Sequence, residues 1–205
     1  MAQSSSGVRA PATARHLTTP AALALGDLAA IFEDLQVVLA CCERLLDGLT
    51  QGNGDDALIV DALWTTALNS YARCFKPGKR GMGLAEKDLT ETGLKGDVAE
   101  WHSLLGRLRT YYVDNETNPR EAFFVGVAQA DDGKAEGIVL SSASQPLVDE
   151  TTVRQTGRLA FELSRIVDGR IKAQQEKVFT TAKAMTADAL SDLPSLAVGD
   201  QAPEG

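Results

Sequence analysis

Three observations predict a mainly α-helical fold: a bundle of four or five helices with one inserted two-stranded β-hairpin. Three long segments space their apolar residues at steps of three and four, the period of a helix that buries one side. One stretch, at about residues 122–142, changes to the β-branched composition of paired strands, FFVGVA and GIVL around a DDG turn. A chain of 205 residues is long enough for one well-buried domain and short for two.

Residues 1–18 are rich in Ser, Ala and Thr and carry too little apolar area to offset the entropy of ordering, which predicts a disordered N-terminal arm. Thr19 followed by Pro20 is a helix start, a hydroxyl acceptor ahead of a residue whose missing N–H costs nothing in the first turn. Leu28, Ile31, Leu35, Val38, Leu39, Cys42, Leu45, Leu46 and Leu49 then form a wide stripe, and Gly48, Gly52, Asn53 and Gly54 end the helix. Asp55 or Asp56 caps a second helix, antiparallel to the first, with Leu58, Ile59, Ala62, Leu63, Thr66, Ala67, Tyr71 and Phe75 turned inward. Pro77 and Gly78 stop it. The GKRGMG stretch that follows lacks the spacing of a phosphate loop and its closing Lys-Ser/Thr pair.

Residues 85–96 read as a loop with one helical turn. The next helix begins near Asp97 and sets Val98, Trp101, Leu105, Leu108 and Tyr112 on one stripe, with His102 and Arg109, seven apart, sharing another face. Asp114, Asn115 and Glu116 close it ahead of Pro119. A hairpin of two strands is barely stable alone, so this one is expected to lean on the helices and to present an open edge. Asp149 or Thr151 starts the last helix, with Val153, Ala160, Leu163, Val167, Ile171 and Val178 near a sevenfold spacing and a polar later half at residues 170–183. The single helical domain thus covers residues 19–190, and residues 191–205, with two prolines and little to bury, read as a disordered tail.

Composition narrows the function classes. A net charge of −8 repels nucleic-acid phosphates on average, and 5% aromatic residues is too few for a surface that stacks successive bases, so any RNA contact must come from a local basic patch. Arg73, Lys76, Lys79, Arg80, Arg107 and Arg109 are the candidates for such an anion site. Cys41, Cys42 and Cys74 show no metal-ligand spacing and read as buried thiols. The apolar run at residues 21–49 is interrupted by Asp27, Glu33, Asp34, Glu43 and Arg44, so no membrane span is expected there. A cytoplasmic protein without metal, cofactor or membrane partner is the expectation. His16 lies in the arm, which leaves His102 as the one imidazole in a structured segment.

The run LWTTALNSYARCFKPGKRGMGL at residues 63–84, a helix beginning near His102, an arginine before a helix end, residues 118–121 and then a hairpin together resemble a group of uncharacterised actinobacterial proteins with a HEPN-like helical fold. The resemblance covers about residues 55–171. It implies a helical bundle, commonly homodimeric, here through its helical faces, and a setting in phage defence or toxin–antitoxin systems. It also implies a metal-independent RNA endonuclease site, an arginine, four to six intervening residues and then a histidine near the end of a helix, completed across the dimer. Arg109 matches that arginine, and the histidine position falls on Asn115 or Asp114. An amide does not titrate near neutral pH and an ordinary aspartate is already ionised, so neither replaces imidazole as a general acid–base. The reading is therefore a non-catalytic HEPN-like binding module acting on a protein or RNA partner. Its alternatives are an RNA endonuclease using Arg109 with Asp114, Asn115 or His102, and a structural or accessory protein that pairs through its hairpin edge.

Overall fold

The computed structural model describes residues 13–51, 57–76, 78–113, 123–142 and 148–197. Four long helices make the body: α1 (Pro20–Gln51), α2 (Ala57–Phe75), α4 (Val98–Val113) and α5 (Glu150–Lys183). Two short ones, α3 (Glu86–Glu91) and α6 (Ala187–Ser191), sit between and after them. A hairpin of β2 (Phe123–Gln129) and β3 (Ala135–Ser142) stands between α4 and α5, and two-residue strands β1 (Ala14–Arg15) and β4 (Ser195–Leu196) pair near the ends. The fold is thus mainly helical with a two-stranded hairpin, as the periodicity predicted.

Local chemistry sets the helix starts. Thr19 Oγ1 accepts from the Ala22 N–H at 3.2 Å, Asp97 Oδ1 from Glu100 at 2.8 Å, and Asp149 Oδ1 from Thr152 at 2.7 Å, each satisfying an amide that the helix leaves free. The expected caps at Asp55 and Asp56 lie outside the described residues.

α1 is the central element. It runs antiparallel to α2 on one side and to α5 on the other, and α4 packs antiparallel on α2. Leu28, Ile31, Leu35, Val38, Cys42 and Leu45 of α1 meet Trp64, Ala67, Leu68, Tyr71 and Cys74 of α2, and Val153, Leu159, Ala160, Leu163 and Val167 of α5; Leu105 closes the core from α4. At Gly157 α5 comes close to α1, since a Cβ there would sit 3.4 Å from Cys42 Cβ.

Several expectations are corrected. Leu58, Ile59, Ala62 and Thr66, assigned to the inward face of α2, are exposed, and Leu49 at the end of α1 is partly so; the stripe that reaches the core begins at Trp64. The polar later half of α5 does not simply project. Arg170 donates to Asp88 of α3, which is 1% exposed, and to Glu91 at 2.8 Å, while Gln174 Nε2 donates to the Ala21 carbonyl at 2.9 Å. Residues at both margins assigned to the arm and the tail are paired: Ala14 opposite Leu196, Arg15 opposite Ser195, with the Arg15 guanidinium on the Leu193 carbonyl at 3.0 Å. Backbone and carbonyl bonds make this tie, which a test weighing apolar area does not register.

The hairpin differs most from expectation. It does not lean on the helices, for its large apolar side chains are half or more exposed on both strands. Among the described residues, no helix is long and apolar enough to cross a membrane.

Candidate functional site

The predicted basic residues separate into two groups once the helices are in place. Arg73 on α2 and Lys76, one residue past its end, face Arg109 of α4, and with Asn69 and Ala72 they line an open cavity of about 320 Å³. Arg109 Nε donates to Asn69 Oδ1 at 3.4 Å, a long bond that leaves most of the guanidinium free. Three cations within one cavity form a local positive site on a chain of net charge −8. Arg107 does not join them, because two residues turn a helix by about 200°, and its side chain is exposed elsewhere. Lys79 lies in the exposed turn after α2. Asp114 and Asn115 lie outside the described residues.

Arg80 turns inward to Asp34. This carboxylate, 6% exposed on α1, accepts from Arg80 Nη2 at 2.8 Å on one oxygen and from Arg73 at 2.6 and 3.0 Å on the other. Arg73 Nη2 also reaches Ser70 Oγ at 3.1 Å. One turned-in acid therefore orients Arg73 at the edge of the cavity and anchors the glycine-rich loop. Asp27, two turns earlier on α1, fixes the same loop by accepting from the Gly81 N–H at 2.9 Å. Gly78 supports the reversal at φ 62°, in the left-handed region that glycine adopts without strain. In the sequence, Asp27 and Asp34 count only as interruptions of an apolar run; their heptad spacing on one face is the signal that was there to read.

His102 is held in a different environment. Its ring lies 4.3 Å from the Phe75 ring and 5.7 Å from the Tyr71 ring, and its Nδ1 shares a 2.8 Å hydrogen bond with the Tyr71 hydroxyl. Burial lowers the His102 pKa below its ordinary value, against the opposing pull of Glu86, and burial raises that of Tyr71. At neutral pH the pair is therefore an uncharged imidazole bonded to an un-ionised phenol. Arg109 is seven residues away, about 10 Å along the helix, and meets α2 at Asn69 instead. The structure gives His102 a packing role and does not bring it to Arg109.

Other polar chemistry is structural. Burial would raise the Asp88 pKa, but hydrogen bonds from Arg170 and the Ala85 N–H hold it below the usual carboxylate range. Cys41, Cys42 and Cys74 are buried free thiols, and burial pushes Cys42 and Cys74 up to about 12, far from the thiolate form that reacts. Among the described residues, no three of His, Cys, Asp and Glu converge as metal ligands.

The largest feature that charge and motif reasoning missed is a face of the hairpin. Residues directly opposite in an antiparallel pair share a face, and successive residues alternate. The register pairs Val125 with Leu140 and Val127 with Ile138, so these four and Phe123 lie on one face, each between 62% and 71% exposed. The other face carries Phe124 and Val139 among Gly126, Ala128, Gly137 and Ser141. Asp131, Asp132 and Lys134 put charge at the tip, where Lys134 pairs with Asp132 at 2.8 Å, and Glu136 adds one more at the bulge of β3. The alternation was legible in the sequence; that no described residue of the chain covers the apolar side was not. A scan against protein-family models, a search of curated proteins and a search of solved structures each found no match.

Proposed function

We propose that this chain is a non-catalytic HEPN-like binding module that docks onto another protein through the apolar face of its hairpin. The defence or toxin–antitoxin setting is the one its resemblance implies. The observation that carries the reading is the row of five large side chains, Phe123, Val125, Val127, Ile138 and Leu140, left open to water on one face. A contiguous apolar patch of this kind is characteristic of an interaction surface rather than of idle exterior. Two further features support the reading. The order of helices, hairpin and last helix agrees with that in the resemblance. The one imidazole in the bundle is committed to Tyr71 and Phe75, which leaves Arg109 without a proton carrier among the described residues.

A photo-crosslinking residue placed at Val127 tests this in cells that make the protein. Adducts should form from position 127 and not from Thr66, exposed on α2; no adduct from 127 would refute docking through this face.

A second reading, an RNA partner, is favoured by the convergence of Arg73, Lys76 and Arg109. Affinity for a mixed-sequence RNA should then fall steeply with salt, and Lys76→Ala or Arg109→Ala should each reduce the log–log slope by about 1. Unchanged slopes would remove it. The same incubations, with and without EDTA, report on the endonuclease alternative, since cleavage that Arg109→Ala abolishes would establish an enzyme.

A further inference from the structure

We infer that the hairpin docks on the same hairpin of a second copy of this chain, apolar face to apolar face, so that two ribbons close into a small β-sandwich about a two-fold axis. The inference rests on the hairpin being a docking surface and names what occupies it.

Charge is the first argument. Two chains of net charge −8 repel on average, and an uncharged face lets two copies meet without bringing like charges together. The part of that face made by Phe123, Val125, Val127, Ile138 and Leu140 carries no charge; Glu136, two residues before Ile138 at the bulge, joins Asp131, Asp132 and Lys134 in placing the ribbon's charged residues toward its tip. Geometry is the second. Pairing by an edge would join two apolar faces into one larger wet face, whereas stacking them about 10 Å apart buries both at once. A two-fold contact needs only one self-complementary patch, and a flat uncharged face supplies it.

Area is the third argument. Five side chains of this size, each about two-thirds exposed, offer on the order of 600 Å² per partner, which reaches the low end of the ~1,200–2,000 Å² total that a specific interface buries. On α5 the exposed Phe161 and Phe179 stand about 27 Å apart and share no patch, whereas the ribbon gathers five large side chains on one face. This favours the ribbon over the surface of α5 as the contact. A lipid surface fits less well. Among the described residues neither outer edge of the ribbon has a partner strand, and in hydrocarbon the N–H and C=O groups of such an edge would find no water to bond.

Sedimentation of the full chain at about 50 µM, well above a micromolar Kd, should give twice the 21.8 kDa chain mass. The pair Val125→Glu and Leu140→Glu, which sets like charges against each other across the axis, should weaken association at least ~100-fold with helical circular dichroism unchanged. Val139→Glu on the opposite face should leave the dimer intact. As a second measurement, Val127→Cys should crosslink to itself through a short bis-maleimide, because the native thiols are buried, while Val139→Cys should not. A monomeric wild type, a dimer that survives the double substitution, or crosslinking from position 139 in place of 127 would overturn the inference. If the crosslinks formed at Val127 in cells carry other proteins while the pure chain is monomeric, only the self-docking fails; if no adduct forms, the docking reading fails as well.

Discussion

Asp34 shows how much one residue holds here. Two guanidiniums 39 and 46 residues further along the chain close on its two oxygens, which ties α1, α2 and the glycine-rich loop at one point. The Arg73 side chain is 58% exposed and solvent screens it, while that of Arg80 is 24% exposed. Asp34→Ala should therefore destabilise by about 2 kcal/mol in urea unfolding, most of it from stranding Arg80, and Arg80→Ala should cost more than Arg73→Ala. Equal costs for the two arginines would contradict this account. His102 makes a pH-dependent contribution. Its folded pKa is depressed by burial, so its stabilisation is fully present above the unfolded value of 6.5 and is lost as pH falls through the folded value. Urea unfolding at pH 7 and pH 5 should show wild-type stability declining and His102→Phe declining less; equal declines would mean that another group titrates. Asp88 shifts in the same direction but acts below its ordinary 3.8, outside this window. Neither role was legible in the sequence, because residue type and spacing show that an acid or an imidazole is present and tertiary packing decides what it meets.

Among the elements, α5 and the hairpin mark the two ends of legibility. Periodicity and the Asp149 cap located α5 to within a residue or two, since its buried side and its first free amides are both properties of local sequence. Its approach to α1 was not visible, because a helical glycine reads only as a weak helix former. Gly157→Ala places a methyl at ordinary contact distance from Cys42 and removes that weakness, so it should be neutral or stabilising by up to ~1 kcal/mol. Gly157→Leu should cost about 1–3 kcal/mol by overpacking the same spot. Thermal unfolding of both variants checks the pair, and a tolerated leucine would show that α1 and α5 yield there. The strands of the hairpin were equally clear from their alternation and turn. Whether a half-apolar ribbon lies against its own bundle or stands away from it is not written in that alternation, because the pattern is the same in both cases.

At the scale of the whole molecule, the helical class followed from period, length and caps, whereas the distribution of charge did not follow from composition. A chain that is acidic overall gathers Arg73, Lys76 and Arg109 around one cavity and spends Arg80 and Arg170 on buried carboxylates. The candidate cations were all visible as residues; which of them converge depended on helix rotation and on the antiparallel setting of α2 and α4. The pairing of β1 with β4 has a practical consequence. Ala14 and Leu196 lie side by side, so a short peptide could join them and new termini could be opened at the ribbon tip beside Gly133. Such a circular permutant should retain the bundle, with the ribbon's two strands held together by their own pairing and no longer by the turn, so that its tip becomes a pair of independently addressable ends.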